Sequence, residues 1–143
     1  MSVDLSRFLD MQKNHYAEQY GMIFQNQYDS GWIEYIFPRM ITECYSPRSQ
    51  RYGLVSEKEK NAFWRNKYLR RNYIEMLRLV NKKLDAPTLD LLSDRAKMKI
   101  WQSVQIFYPI AEQSDREVML EYIKKAGKGN SCSNFQVKFT TKH

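Results

Sequence analysis

The chain is organised around residues Ser30 to Leu54, which read SGWIEYIFPRMITECYSPRSQRYGL. An aromatic-rich, mostly apolar run ends at Pro38, and a polar segment with three arginines and Pro47 follows it. The run is too short for periodicity to distinguish a buried helix from a buried strand, although Pro38 disfavours a helix at the residue before it. We predict a loop from Ile41 to Tyr52, and we expect any binding site to lie in this stretch.

A helical pattern precedes this stretch. Asp4 is a suitable N-cap, and apolar residues follow it at helical spacing. We predict that this first helix ends near Tyr20, because Gly21 comes next. A short second helix within Met22–Tyr28 stays open.

Further helical patterns follow the central stretch. Ser56–Glu59 fits a capping box, and the apolar spacing over Leu69–Leu84 predicts an amphipathic helix, with a break near Asn66 left open. Ser93 is a suitable N-cap for the next helix. Ser114–Glu117 fits a second capping box, which is predicted to begin the last helix.

Together these patterns predict a mainly α protein, a compact single-domain bundle of about five to seven helices over residues 1–127. The 143 residues of the chain suit one domain. Residues 128–143 are predicted to form a C-terminal tail or a short edge strand, because Phe135–Phe139 alternates apolar and polar side chains.

The sequence also indicates where the protein is located in the cell and which kinds of chemistry to expect. Met1–Asp10 carries acids and no apolar core, so we predict no signal peptide. No apolar run approaches the roughly 18 residues of a membrane span, which predicts a cytoplasmic protein without membrane contact. Cys44 and Cys132 match no zinc or redox spacing, and we interpret both as free thiols. We expect no metal and no cofactor, and the oligomeric state is left open.

Positive charge is concentrated in one part of the chain. The net charge is +7, and the span Arg48–Lys83 alone carries +8 from eleven basic and three acidic residues. This concentration favours an anionic partner, and the alternative interpretation is a solvated helix face. If the partner is a nucleic acid, the residues expected to contact it are Arg65, Lys67, Arg70, Arg71 and Arg78.

Several motifs resemble one protein family over roughly residues 4–108. The residues that carry the resemblance are Asp4–Phe8, Gln12, Tyr16, Ser30, Trp32, Ile36–Pro38, Ser46, Pro47, Gln50–Leu54, Asp94, Lys97, Ser103 and Phe107. In these positions the sequence is similar to the small, mostly bacterial proteins of unknown function (domain of unknown function 1810) that are often labelled "calpastatin". That resemblance implies a mainly α-helical fold and no established activity.

The chain departs from the family pattern inside its central motif. The family usually has His and a second Trp where this chain has Gly31 and Glu34, and Gln where it has Arg39. A small Gly-containing element of the family is replaced by Arg70-Arg71. The helical layout also has a loose likeness to helical glycosidases linked to NAD and ADP-ribose, although no shared motif supports it.

The residue types around the central stretch favour a small anionic ligand. Guanidinium groups bind phosphate in a bidentate manner, and aromatic rings stack on planar groups, although buried rings more commonly form the core. Glu34 within the apolar run is either the partner of a cation or a candidate catalytic acid or base. The ligand-binding residues predicted from the sequence are Trp32, Glu34, Tyr35, Arg39, Ser46, Ser49, Gln50, Arg51, Tyr52, Lys97 and Ser103.

Three functions therefore stay open at this point. The first is binding of a small phosphorylated or nucleotide-like anion in a pocket formed by the Trp32–Pro38 motif and the Ser46–Tyr52 loop. The second is a nucleic-acid-binding module that uses the Arg48–Lys83 span. The third is an enzyme acting on a nucleotide or N-glycosidic substrate, with Glu34 as its best catalytic candidate.

Overall fold

A computed structural model describes residues 3–27, 30–86 and 92–127 of the chain. This part holds seven α-helices and no β-strand, which confirms the predicted mainly α bundle of five to seven helices. The predicted edge strand lies outside the described residues. The helices are α1 (Ser6–Phe24), α2 (Ile33–Ile36), α3 (Pro47–Arg51), α4 (Glu57–Arg65), α5 (Lys67–Leu84), α6 (Asp94–Phe107) and α7 (Gln113–Ala126).

The first helix is longer than predicted. It continues through Gly21 to Phe24, so the predicted end near Tyr20 is wrong, and Met22 belongs to α1 rather than to a second helix. The buried face of α1 continues to Ile23, and this burial outweighs the weak helix propensity of one glycine. Asp4 Oδ1 accepts from the Ser6 N–H at 2.9 Å.

The central stretch contains two short α-helices, α2 and α3, so the apolar run that the sequence left open between a helix and a strand is helical. A 3₁₀ turn over Ser30–Trp32 leads into α2, which ends before Pro38. The predicted loop over Ile41–Tyr52 is wrong, because it contains a 3₁₀ turn (Ile41–Glu43) and α3. The Ser46 and Ser49 side chains form a reciprocal capping box, with Pro47 in the first turn, and these local bonds stabilise the five-residue helix.

The basic region divides into two helices at Asn66. The Asn66 Oδ1 accepts from the Leu69 N–H at 3.1 Å and so caps α5. At the start of α4, Ser56 Oγ accepts from the Glu59 N–H, but the Glu59 carboxylate accepts from the Val55 N–H instead of completing the box. The predicted Ser56 cap is therefore confirmed in its first half only.

The last two helices begin at different kinds of residue. Ser93 Oγ caps α6 by accepting from the Ala96 N–H at 3.1 Å. The predicted capping box at Ser114–Glu117 is wrong, because α7 begins at Gln113 with Glu112 at the N-cap position. The Arg116 N–H bonds to the Glu112 carbonyl at 2.8 Å, so the helix begins two residues before the predicted box would place its start.

Helix α5 lies at the centre of the bundle and packs against α1, α4 and α7. An aromatic cluster joins it to α2, α4 and α6: Tyr73 lies edge-on to Phe37 at 4.8 Å and to Trp64 at 5.0 Å, and Trp64 stacks on Phe107 at 4.9 Å. Aromatic pairs of this kind contribute about 0.5–1.5 kcal/mol each beyond their buried area.

Within the residues described, no helix is both long and apolar enough to cross a membrane.

Candidate functional site

A cleft of about 430 Å³ lies between the central stretch and α6. We call it the α6 cleft. Three of its lining residues are cationic and several others are neutral hydrogen-bonding side chains. The lining residues are Arg39, Glu43, Tyr45, Ser46, Ser49, Arg95, Met98, Lys99 and Gln102.

The buried carboxylate of Glu34 forms ion pairs with two of these cations. Its side chain is only 6% exposed, and its Oε1 lies 3.2 Å from Arg39 Nη2 while its Oε2 lies 2.9 Å from Lys99 Nζ. A buried carboxylate needs such partners, because an unpaired buried charge is strongly destabilising. The ion-pair interpretation of Glu34 therefore accounts for its place in the apolar run, and both carboxylate oxygens carry a hydrogen bond from a cation.

Arg39 joins the central stretch to α6. Its Nη1 donates to the Glu43 carbonyl at 3.1 Å and to Gln102 Oε1 at 3.0 Å. Gln102 in turn donates to Glu43 Oε1 at 3.1 Å. The Arg39 Nε is buried and has no hydrogen-bond partner among the described residues. Most Arg39 donors are thus used within the protein, and the guanidinium forms a fixed wall of the cleft.

Helix α6 supplies further donors to the cleft. Arg95, Lys99 and Gln102 occupy positions i, i+4 and i+7, so they project from one face of the helix. Arg95 is exposed, and the Lys99 ammonium uses one of its three donors on Glu34. Across the α6 cleft, three cations stand against two carboxylates, those of Glu34 and Glu43. This excess of positive charge favours an anion.

Two neighbouring features hold the wall of the cleft in place. Arg7 on α1 donates to the Arg51 carbonyl at 2.8 Å and the Gly53 carbonyl at 2.9 Å, and it pairs with both Glu59 oxygens at 2.9 and 3.0 Å. The Leu54 N–H bonds to the Arg39 carbonyl at 2.9 Å. The segment that follows α3 is therefore fastened to α1, α4 and the backbone of Arg39.

The structure separates the residues predicted from the sequence. Arg39, Ser46 and Ser49 line the α6 cleft. Trp32 and Tyr35 are buried and line a different cleft of about 430 Å³, whose other lining residues are Met11, His15, Gln19, Gly31 and Arg48.

That second cleft contains two unusual polar atoms. Trp32 Nε1 and Gln19 Oε1 are buried and have no hydrogen-bond partner among the described residues. Arg48 lies at the same cleft and donates to the Gly31 carbonyl at 3.2 Å. Arg39 and the two serines therefore lie at one cleft, whereas Trp32 and Tyr35 lie at another, beside Arg48.

The other predicted residues have contacts elsewhere. Tyr52 is buried against the rings of Phe8 and Tyr35. Gln50 is exposed and donates to the Cys44 carbonyl at 3.3 Å. The remaining three do not line the α6 cleft: Arg51 is exposed, Lys97 accepts from the Tyr122 hydroxyl through its carbonyl, and Ser103 is fully buried and bonded to the Tyr73 hydroxyl.

Sequence reasoning missed Arg95, Lys99 and Gln102 as a group. The family pattern favours Lys97 over the other polar residues of α6, but Lys97 does not line the α6 cleft. The buried face of α6 carries Ala96, Ile100, Val104 and other apolar residues. A signal was available in the spacing of Arg95, Lys99 and Gln102, which share one polar face. Which polar face meets the central stretch depends on the rotation of α6 in the bundle, and the sequence does not give that rotation.

Most of the predicted nucleic-acid residues come together in one groove. Lys67, Arg70, Arg71 and Arg78 line a groove of about 610 Å³ between α5 and the start of α7, together with Tyr68, Ile74, Glu75 and Asp115. We call it the α5 groove. Arg65, at the end of α4, is not among its lining residues.

Neither a reactive cysteine nor a metal site stands out in the described ranges. Burial raises the pKa of the Cys44 thiol, although Arg39 acts in the opposite direction, and a neutral thiol is a poor nucleophile. Residues 3–27, 30–86 and 92–127 contain no group of three or more His, Cys, Asp and Glu side chains placed to hold a metal ion.

Comparison with known proteins gives one match. The model of the family described as "Protein of unknown function (DUF1810)" matches residues 2–136. Searches of curated proteins and of solved structures return no significant match. Because the family model covers nearly the whole sequence, the chain belongs to the DUF1810 family, whose function is unknown.

Proposed function

We propose that the protein binds a small phosphorylated or nucleotide-like anion in the α6 cleft. The observation that carries this proposal is the Glu34-centred network, in which one buried carboxylate holds Arg39 and Lys99 and leaves the cleft with an excess of cations. A phosphate carries several acceptor oxygens, and charge-assisted hydrogen bonds to them are roughly twice as strong as neutral ones.

The residues of the cleft have different roles in this proposal. Arg95 and Lys99 contact the anion, because they have donors that no group in the described part of the chain uses. Glu34 orients Lys99, and Arg39 holds α6 against the central stretch through its hydrogen bond to Gln102. Since both Glu34 oxygens are engaged by cations, we give Glu34 an organising role rather than a catalytic one. The volume of about 430 Å³ suits a ligand of mononucleotide size.

A thermal-shift screen tests the proposal. The probes are inorganic phosphate, pyrophosphate, nucleoside mono- and diphosphates, NAD and ADP-ribose at millimolar concentration. A ligand present at ten times its Kd stabilises the folded state by roughly 1.4 kcal/mol, which raises the melting temperature by about 3–6 °C for a chain of this size. If none of the probes raises the melting temperature, the proposal is wrong.

Two matched variants locate the binding site. Arg95→Gln removes an exposed cation of the cleft, and Arg51→Gln removes an exposed arginine outside it. Hydrogen bonds to charged groups are worth about 1.5–3 kcal/mol, so we expect Arg95→Gln to weaken binding at least tenfold. Arg51→Gln should bind like the wild type. Equal losses in the two variants would indicate a response to net charge and would contradict the assignment.

A further inference from the structure

We infer that the α5 groove is a second, separate binding surface, and that it binds the backbone of a single-stranded nucleic acid. The groove is defined by α5 and the first turn of α7 and shares no lining residue with the α6 cleft. Its four cations, Lys67, Arg70, Arg71 and Arg78, come from the region that carries the charge excess of the chain.

Three of the groove cations lie in one row along the helix with Lys82, which is outside the groove lining. Lys67, Arg71, Arg78 and Lys82 occupy positions i, i+4, i+11 and i+15 of α5, and all four are exposed. At 1.5 Å per residue the row extends about 22 Å along the helix axis. A chain of regularly spaced phosphates therefore meets several of these side chains at once, whereas one small anion meets one or two of them.

No cation of the row forms a close ion pair. In the described part of the chain, none of the four lies within 4.0 Å of a carboxylate oxygen, although cations on other helices do. Lys60, for comparison, lies 2.7 Å from Glu57. Within the groove, Glu75 accepts a hydrogen bond from the Tyr16 hydroxyl at 2.7 Å, which occupies one of its oxygens.

The groove also offers an aromatic surface beside the cations. Tyr68 is half-buried and lines the groove, and Ile74 supplies apolar floor. Stacking of a base on an aromatic ring next to a row of phosphate contacts is the general mode of single-strand binding. An acidic peptide would use the cations but not the ring, so the combination favours a single-stranded nucleic acid over an acidic protein segment.

Asp115 is the feature of the groove that opposes an anion. Burial raises the pKa of its carboxyl, although Arg70 and Arg78 act to lower it. Its charge lies on the groove and repels phosphate. Replacement by the neutral isostere asparagine should therefore strengthen binding of a polyanion, and a merely structural acidic residue would have no such effect.

Fluorescence anisotropy tests the inference on the full-length chain. The probe is a labelled, mixed-sequence single-stranded RNA of about 20 nucleotides, longer than the site of one small binding domain. Wild-type binding should weaken with salt, with a log–log slope of about −0.7 for each phosphate contacted. Binding that is absent, or that does not change with salt, overturns the inference.

Charge-matched variants identify the surface. Arg71→Gln with Arg78→Gln removes two cations of the row, and Lys13→Gln with Lys58→Gln removes two exposed lysines elsewhere. Losing two contacts should weaken binding roughly 25-fold at about 0.1 M salt and make the slope shallower by about 1.4. The control pair should keep the wild-type slope. Equal losses in the two double variants would show that binding is diffuse, and would overturn the inference.

Two more measurements separate the remaining outcomes. Asp115→Asn should tighten RNA binding, and unchanged or weaker binding contradicts the groove as the site. Polyglutamate should compete poorly, whereas competition equal to that of unlabelled RNA identifies an acidic protein as the partner and overturns the nucleic acid. Arg95→Gln should leave RNA binding unchanged, so that a failure of this inference is distinct from a failure of the α6 cleft proposal.

Discussion

Replacing Glu34 by glutamine tests the core of the α6 cleft. In the variant the carboxylate charge disappears, and the amide nitrogen places a donor next to the donors of Arg39 or Lys99. The two cations respond differently. Arg39 is only 7% exposed, so it stays buried without a counter-ion, whereas the Lys99 side chain is 27% exposed and can turn toward water.

The magnitude follows from these exposures. Breaking a buried ion pair costs about 3–5 kcal/mol, because one charge is left uncompensated. The more exposed Lys99 pair adds about 0–1 kcal/mol. We therefore expect Glu34→Gln to lower the free energy of unfolding by about 3–6 kcal/mol and the melting temperature by roughly 6–24 °C. Urea denaturation followed by circular dichroism measures the first quantity.

A double-mutant cycle separates the ion pair from general damage. Arg39→Gln removes the buried cation, and the double variant with Glu34→Gln has no buried unpaired charge. The double variant should be less destabilised than the sum of the two single variants by about 1–3 kcal/mol. Glu43→Gln is the control, because Glu43 is exposed and its change should stay within about 0.5 kcal/mol. A Glu34→Gln variant as stable as the wild type, or additive single effects, would refute this reasoning.

Two other predictions concern the elements that fasten the cleft. A Cβ on Gly53 would lie 2.9 Å from the Ile41 Cα, so Gly53→Ala should cost about 1–3 kcal/mol in urea denaturation; an unchanged midpoint would show that the two segments do not approach so closely. Burial disfavours the charged form of Glu59, but the hydrogen bonds from Arg7 and from the backbone outweigh it and hold its pKa below the usual 4.5. The wild type should then have a larger free energy of unfolding than Glu59→Gln, and this difference should be fully present above about pH 4.5 and shrink as the pH falls through the lower folded-state pKa. A difference that is constant with pH would contradict the pairing with Arg7.

Long periodic elements were predictable from the sequence and short ones were not. The apolar stripe from Leu69 onward and the caps at Ser56 and Ser93 correspond to α4, α5 and α6. Helix α3 was predicted as loop because five residues carry no periodicity. The end of α1 was misplaced because tertiary packing of Ile23 outweighed the signal of one glycine.

The sequence predicted the kind of chemistry at the candidate site, but not which residues line it. Residue types alone indicated that Glu34 is either paired with a cation or catalytic, and they assigned Arg39 and the two serines to the same binding site. The sequence could not show that α6 turns Lys99, rather than Lys97, toward Glu34. It also could not show that Trp32 faces a different cleft, because this depends on how α1 and α2 pack together.

An NMR titration with pyrophosphate tests the anion site most directly. Backbone amide resonances of the full-length chain are followed as pyrophosphate is added to millimolar concentration. We predict saturable shifts that are largest at Tyr45–Ser49 and Arg95–Gln102, and that are lost in Arg95→Gln but kept in Arg51→Gln. Shifts confined to other parts of the chain, or shifts that rise linearly without saturation, would contradict anion binding in the α6 cleft.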